Sequence, residues 1–171
     1  MNIQRRNLLL GSLAVVPLTL QQRTAVAAEA NASGDSIPQL SGAKPMIDHL
    51  DHIVLTTYDE EACVRFYVNI LGMQLETFGA GRKAFRFGNQ KINVHVKGHE
   101  FEPKADKPTP GSLDICFIAG MPLDSVIARL NELKATIVEG PVMRTGATSK
   151  IRSVYLRDPD QNLIEISELH P

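Results

Sequence analysis

The chain has 171 residues, enough for one domain with a hydrophobic core or for two small, similar modules. Its formal net charge is −1, and the first 27 residues hold three arginines and no acidic residue, so the remainder carries 15 basic against 19 acidic side chains, about −4. This mildly acidic remainder has no basic stripe, which argues against nucleic acid as a partner.

Residues 1–27 have the pattern of an export signal rather than of a folded segment. Arg5 and Arg6 precede a short apolar stretch that ends near Leu20, and Ala25 and Ala27 fit an Ala-x-Ala cleavage pattern. Paired arginines before a modest apolar stretch resemble a twin-arginine signal, which exports folded proteins; an ordinary secretory signal is the alternative. We therefore expect a periplasmic or secreted protein without a stable membrane anchor, with a flexible leader over residues 28–46.

From residue 47 the chain shows an ordered series of predicted secondary-structure elements, which begins with a strand over residues 50–56. Thr57 and Glu60 fit a capping box at the start of a helix, which Gly72 ends. Three short strands are predicted next, near residues 73–78, 83–87 and 91–96. Residues 98–112 form a polar, turn-prone connector rich in Pro, Lys, Asp and Gly.

The same series then repeats. A strand over residues 113–118 precedes a helix that Pro122 opens, since proline suits the first turn of a helix. Further strands are predicted near residues 135–139, 143–145, 153–157 and 162–168. If the short ranges 135–139 and 143–145 are counted as one strand interrupted at Gly140-Pro141, the order βαβββ occurs twice. It predicts an α+β fold of two similar modules, over about residues 47–97 and 113–171. They must pack together because neither buries much surface alone.

The two cysteines, Cys63 and Cys116, lie on a predicted helix and inside an apolar strand. An exported protein is allowed a disulfide. We nevertheless interpret both cysteines as small buried hydrophobic residues.

Two polar residues stand out within the apolar strands. His52 opens the apolar run Ile53-Val54-Leu55, and Glu165 lies between Ile164 and Ile166. A carboxylate with such neighbours is costly to desolvate unless it meets a cation or a hydrogen-bond donor. Histidine and glutamate both belong to the classes of residue that bind metal ions in proteins.

The repeated βαβββ order, His52, the run Gly140-Pro141-Val142 and the motif Asp-Pro-Asp-Gln-Asn-Leu-Ile-Glu over residues 158–165 resemble the vicinal oxygen chelate superfamily. This superfamily includes glyoxalases, bleomycin-resistance proteins and extradiol dioxygenases. The resemblance covers about residues 47–169. It implies that the two paired modules form a cupped, eight-stranded sheet around one divalent metal ion.

The resemblance implies metal ligands on the first and last strand of each module. Carried onto this sequence, these positions are His52, His95, Asp114 and Glu165. Asp114 departs from the histidine common at its position, and its shorter side chain makes it either the fourth ligand or a residue beside the metal. Two imidazoles and a carboxylate suit Zn, Fe, Mn, Ni or Co. Glu165 and Tyr155 are the expected catalytic residues.

The implied function is that of a metal-dependent enzyme in which the ion chelates neighbouring oxygens of a small substrate. A glyoxalase-like lyase or isomerase and an extradiol-type dioxygenase both remain open. A non-catalytic small-molecule or drug-binding protein, like the bleomycin-resistance relatives, is the alternative. Homodimers are expected, and some relatives exchange modules between chains, so the sequence leaves open whether one chain completes the site.

Overall fold

A computed structural model describes residues 44–170, and all of these from Pro45 onward belong to one compact unit. The predicted export signal and nearly all of the predicted leader lie outside these residues. The elements are β1 (His52–Thr57), α1 (Glu60–Val64) continued by a π-helical segment (Arg65–Ile70), β2 (Gln74–Phe78), β3 (Arg82–Phe87), β4 (Gln90–Val96), β5 (Asp114–Ile118), α2 (Leu123–Glu132), β6 (Ile137–Thr145), β7 (Lys150–Arg157) and β8 (Leu163–His170). Between residues 44 and 170, no helix is both long and apolar enough to cross a membrane.

The predicted α+β fold of two βαβββ modules is confirmed. The first module forms a four-stranded sheet in the order β1-β4-β3-β2, and the second forms one in the order β5-β8-β7-β6. In each sheet the first and last strands of the module pair in parallel, and the other pairs are antiparallel. Among the described residues no strand pair joins the two sheets, so one chain presents them as separate four-stranded sheets.

The two modules share one hydrophobic core. Alternate residues of the central strands point into this core, because successive side chains of a strand lie on opposite faces. The core contains residues from both modules and both helices: Leu55, Cys63, Phe66, Tyr67, Phe85, Ile92, Val94, Leu123, Leu130, Val154, Leu156, Ile164 and Ile166.

The first helix begins two residues later than the predicted capping box. The N-cap residue is Asp59, whose Oδ1 accepts a hydrogen bond from the backbone N of Ala62 at 3.0 Å. Thr57 is still the last residue of β1, and its hydroxyl contacts the backbone of Asp59 instead. The predicted box of Thr57 and Glu60 is therefore wrong, because the strand runs through the threonine before the helix can start.

The cysteines differ from each other in burial. Cys63 is fully buried on α1, and burial raises the pKa of its thiol to about 12. Cys116 is exposed, so its predicted burial is wrong: it lies on the face of β5 that points away from the core. Neither cysteine forms a disulfide.

A buried carboxylate ties the second module to the first. Asp158, in the turn between β7 and β8, is 2% exposed. Its Oδ2 accepts hydrogen bonds from the Tyr67 hydroxyl of the first module at 3.0 Å and from Asn162 Nδ2 at 2.7 Å. Its Oδ1 accepts from the backbone N of Asp160 and of Asn162. Four donors thus satisfy one carboxylate, as a charge in this position requires.

The equivalent contact made by the first module, where its turn between β3 and β4 approaches α2 of the second module, is less tightly packed. The turn between β7 and β8 contains five residues, whereas the turn between β3 and β4 contains only Gly88 and Asn89. A cavity of about 550 Å³ lies where the shorter turn approaches α2, and Gly88, Phe117 and Arg129 are among its lining residues. The joint around Asp158 is therefore the tightly packed one of the two.

We expect Tyr67→Phe to lower the free energy of unfolding by about 1–2 kcal/mol, because it removes one hydrogen bond from a buried charged acceptor. Burial and the neighbouring Asp158 charge raise the pKa of Tyr67, so its hydroxyl keeps the proton that it donates. Urea unfolding followed by circular dichroism measures the change. The matched control is Tyr58→Phe, since Tyr58 is 71% exposed and its substitution should change stability by less than about 0.5 kcal/mol. Equal effects would contradict the assignment of Asp158 as the joint.

Candidate functional site

Each sheet has a face that points away from the shared core, and we call it the outer face of that sheet. Side-chain alternation along the paired strands defines these faces. The outer face of the first sheet carries His52, Val54, Thr56, Lys91, Asn93 and His95. The outer face of the second sheet carries Asp114, Cys116, Ser153, Tyr155, Arg157 and Glu165. All the predicted site residues therefore lie on outer faces, divided between the two sheets.

His52 is held in an orientation that suits metal binding. Its side chain is 44% exposed, and its Nδ1 lies 2.6 Å from Asp51 Oδ1. A carboxylate only accepts hydrogen bonds, so Nδ1 donates and Nε2 is the nitrogen left with a free lone pair. The hydrogen bond from His52 lowers the pKa of Asp51, which keeps this carboxylate ionised. Sequence reasoning did not identify Asp51 as the residue that orients the ring.

The strand register separates His52 from His95. β1 and β4 are parallel, with His52 opposite Lys91 and His95 opposite Thr56, four positions further along. At about 3.3 Å per residue this offset is about 13 Å, too far for side chains that stand nearly perpendicular to a sheet to share one ion. His95 lies instead beside Phe101, with ring centroids 5.8 Å apart. Burial lowers the pKa of its imidazole, so the ring is neutral at neutral pH.

The same register brings Asn93 close to His52. Asn93 lies two positions beyond the residue opposite His52, and Glu165 lies two positions beyond the residue opposite Asp114. The pairs His52/Asn93 and Asp114/Glu165 therefore occupy equivalent places in the two modules. Asn93 Oδ1 is also buried without any hydrogen-bond partner among the described residues, which leaves its acceptor capacity unused. The predicted elements gave no register, so the sequence could not distinguish Asn93 from His95.

Asp114 and Glu165 meet in a cavity of about 370 Å³ on the outer face of the second sheet. Tyr155 and Arg157 also line this cavity, as do Glu139 and Arg144 of the hairpin that precedes them. Three carboxylates and two guanidinium groups thus surround a space large enough for a small polar molecule.

Tyr155 lies between a cation and a carboxylate. Its hydroxyl accepts a hydrogen bond from Arg144 Nε at 3.1 Å, and it lies directly opposite Glu165 across the β7–β8 pair. Burial and the interaction with Glu165 raise the pKa of Tyr155, while Arg144 opposes this shift. Arg144 in turn pairs with Glu139. The phenol is therefore a protonated donor at neutral pH, and Arg144 is a site residue that the sequence analysis missed.

Cys116 lies next to this group on the outer face. Its Sγ is 3.3 Å from Ser167 Oγ, which also lies 2.8 Å from Ser153 Oγ and donates to Glu165 Oε1 at 3.3 Å. Partial burial raises the pKa of the Cys116 thiol. Ser167 thus links this chain of hydroxyl and thiol groups to Glu165, which lines the cavity.

The metal ligands predicted from the sequence do not lie close together in the described part of one chain. Among residues 44–170, no three His, Cys, Asp or Glu side chains are close enough together to hold a metal ion. The chain instead carries two equivalently placed pairs of polar residues, which we call half-sites: His52 with Asn93 on the first sheet, and Asp114 with Glu165 on the second.

Paired βαβββ modules with equivalent half-sites define a class of proteins built by duplication of one module. Residues 49–166 match the profile of the glyoxalase/bleomycin resistance protein/dioxygenase superfamily, and the chain belongs to this family.

Close relatives are known by sequence and by structure. The chain is 54% identical over 123 residues to virulence protein STM3117 of Salmonella typhimurium, a match that covers 72% of this chain and 85% of the relative. It is 52% identical over 118 residues to glyoxalase domain-containing protein RDO1 of Mycosarcoma maydis, covering 69% and 66% of the two chains. The crystal structure of STM3117 has a TM-score of 0.72 and 52% identity, and it covers 74% of this chain and all of the relative's.

We expect Glu165→Gln to lower the pKa of Tyr155, because the variant removes the negative charge that disfavours the phenolate. Arg144→Gln should raise the same pKa, because it removes a hydrogen bond that stabilises the phenolate. NMR titration of tyrosine labelled with ¹³C at Cζ measures both shifts, and Tyr155→Phe assigns the resonance. Glu132→Gln, on the exposed side of α2, is the control and should leave the titration unchanged. Shifts of the same sign in both site variants would contradict this geometry.

Proposed function

We propose that the protein is a metal-dependent enzyme of this superfamily, of the glyoxalase-like lyase or isomerase type, whose site is shared between two copies of the chain. One copy supplies His52 and Asn93, and the other supplies Asp114 and Glu165. The observation that carries the proposal is the equal register offset of the two pairs, on outer faces that one chain keeps apart.

The donor atoms suit a divalent ion. His52 offers Nε2, Asn93 offers its unpartnered Oδ1, and Asp114 and Glu165 offer carboxylate oxygens. One imidazole with three oxygen donors fits Mn, Fe, Co, Ni or Zn. This set has one oxygen donor more and one imidazole fewer than the set of His52, His95, Asp114 and Glu165 that the family resemblance implied. Two half-sites in one chain become two complete sites in a symmetric pair of chains.

The two outer faces also complement each other in charge. The first sheet places Arg82, Arg86 and Lys91 on its outer face with one carboxylate, Glu76. The cavity of the second sheet holds three carboxylates and two arginines. The net charges of the two faces are small and opposite in sign, so they are compatible with a homodimer in which the first sheet of one copy meets the second sheet of another.

The geometry favours the lyase or isomerase chemistry over the dioxygenase chemistry. An extradiol-type site needs two histidines and a carboxylate on one ion, and the register separates His52 from His95 by about 13 Å. A bound divalent ion would act as a Lewis acid on the neighbouring oxygens of the substrate. The Tyr155 phenol can donate a hydrogen bond to a substrate oxygen, and whichever of the Glu165 and Asp114 carboxylates does not hold the ion can accept a proton from an adjacent carbon.

A small-molecule binding protein is the second candidate. The absence of a three-ligand cluster among residues 44–170 favours it, since a binder needs only the cavity and not the ion. For either function we also propose that the protein is exported. The paired arginines of the sequence pattern are the observation that supports this.

Mixing two inactive variants tests the shared site. His52→Ala and Glu165→Ala should each lose bound metal, because each removes one ligand from both sites of a homodimer. Co-expressed and purified as a mixed dimer through different affinity tags, they should recover one metal ion per dimer. His52 of one chain then meets Glu165 of the other, and the second site lacks both.

The parent protein, loaded with manganese, zinc or nickel and measured by elemental analysis, should bind about one ion per chain. Loss in both single variants without recovery in the mixed dimer would place the whole site in one chain. A parent that binds no metal after reconstitution would favour the binding protein.

The choice between Asn93 and His95 is tested directly. Asn93→Ala should weaken metal affinity by about 10- to 100-fold through loss of one oxygen donor, whereas His95→Ala should change it less than about threefold. Isothermal titration of the metal-free variants with Mn²⁺ measures both affinities. A larger loss in His95→Ala would restore the ligand set implied by the family resemblance.

A further inference from the structure

Four side chains of the first module and one of the connector form an aromatic–cation cluster: Phe78, Arg82, Lys91 and His95, with Phe101 from the connector. The Arg82 guanidinium lies 4.6 Å from the centroid of the Phe78 ring and 5.5 Å from that of Phe101. The Lys91 ammonium lies 4.1 Å from the centroid of the Phe78 ring. The His95 ring completes the cluster beside Phe101.

Within the described part of the chain, neither cation of the cluster has a carboxylate oxygen within 4 Å, although Lys91 is near enough to Asp51 and Glu76 to lower the pKa of both. Neighbouring cations on the same sheet do have one: Arg86 pairs with Glu76 at 2.7 Å, and Lys83 pairs with Glu60. Arg82 and Lys91 form no such pair and contact aromatic rings instead. Contacts of this kind with phenylalanine are weaker than charge-assisted hydrogen bonds to a carboxylate, so an anion would compete successfully for both cations.

The connector between the modules supplies one wall of the cluster. Its fold is set by Lys97, which donates to the backbone oxygen of Pro108 at 2.6 Å, and by Glu100, which accepts from the backbone N of Gly98 at 3.1 Å. This arrangement brings Phe101 against His95 and Arg82 while leaving the phenylalanine 39% exposed. An exposed aromatic ring beside unpaired cations is suited to a flat apolar group that carries a negative charge.

The cluster borders the first half-site. Lys91 lies directly opposite His52 in the parallel pair of β1 and β4. Arg82 lies two residues before Ala84, which pairs with Asn93 across β3 and β4. A molecule bound by His52 and Asn93 would therefore extend naturally toward the two cations.

We propose that the aromatic–cation cluster binds the anionic group and the flat apolar body of the substrate, which is a carboxylate carried on an aromatic or similarly flat apolar ring. Arg82, which contacts both phenylalanines, binds the carboxylate, Lys91 supplies a second positive charge beside Phe78, and the exposed Phe101 contacts the ring. The inference deepens the proposed function and rests on it for the reaction, but binding to the cluster needs no metal.

Equilibrium binding of 2-naphthoate to the metal-free protein, followed by its fluorescence, tests this proposal, with 2-naphthamide as the neutral analogue of the same shape. We expect the acid to bind at least about tenfold more tightly than the amide. Arg82→Gln and Lys91→Met should each weaken naphthoate binding about tenfold and leave amide binding nearly unchanged. Phe101→Ala should weaken both ligands alike. Arg65→Gln, an exposed arginine on the π-helical segment, is the matched control and should bind as the parent does.

Arg82→Lys controls for misfolding: it keeps the positive charge and should bind naphthoate more tightly than Arg82→Gln does. Thermal unfolding of every variant checks that each one is folded. Equal affinities for the acid and the amide, or parent-like naphthoate binding in Arg82→Gln, would overturn the proposal. His52→Ala distinguishes naphthoate binding by the cluster from the proposed metal-dependent function. This variant should lose bound metal and still bind naphthoate with an affinity within about twofold of the parent's. If the parent protein binds naphthoate but binds no metal, the proposed role of the cluster stands and the proposed enzyme function is contradicted.

Discussion

The buried carboxylate of Asp158 is the interaction on which the arrangement of the two modules depends. It receives four hydrogen bonds, one of them from Tyr67 in the other module. An unpaired charge at that depth would be strongly destabilising, so the turn, the tyrosine and Asn162 must be in place together. Asn162 extends the contact by accepting from the backbone N of Leu113, at the start of the second module's first strand.

This joint determines where the polar faces lie. With the helices and apolar strand faces buried between the modules, no strand among residues 44–170 pairs the two sheets with each other, and their outer faces lie on separate sheets. Among these residues His52 and Glu165 do not belong to one group of three metal-binding side chains, and each has its own neighbour: Asp51 contacts His52, and Ser167 contacts Glu165. In the proposed function the two half-sites meet only when a second copy of the chain is present.

The repeated βαβββ order could be predicted from the sequence, because periodicity and turn residues are local signals. His52 and Glu165 were recognisable because a polar residue in an apolar strand is conspicuous. Asn93 could not be recognised as a candidate site residue from the sequence. Strand register depends on tertiary pairing, and an asparagine two residues from His95 is the less obvious metal ligand. Arg144 gave no signal either, because its role depends on a hairpin that places it against Tyr155.

The unequal joints between the modules have an evolutionary meaning. Two identical modules that associate as separate chains must keep both of their contacts, since each contact contributes to the affinity. Once the modules are covalently linked, one firm joint is enough to hold them together. The two-residue turn at Gly88 and Asn89, with its cavity of about 550 Å³, is the looser joint. Larger side chains placed there should therefore cost the fold less stability than changes around Asp158, where four hydrogen bonds depend on one carboxylate.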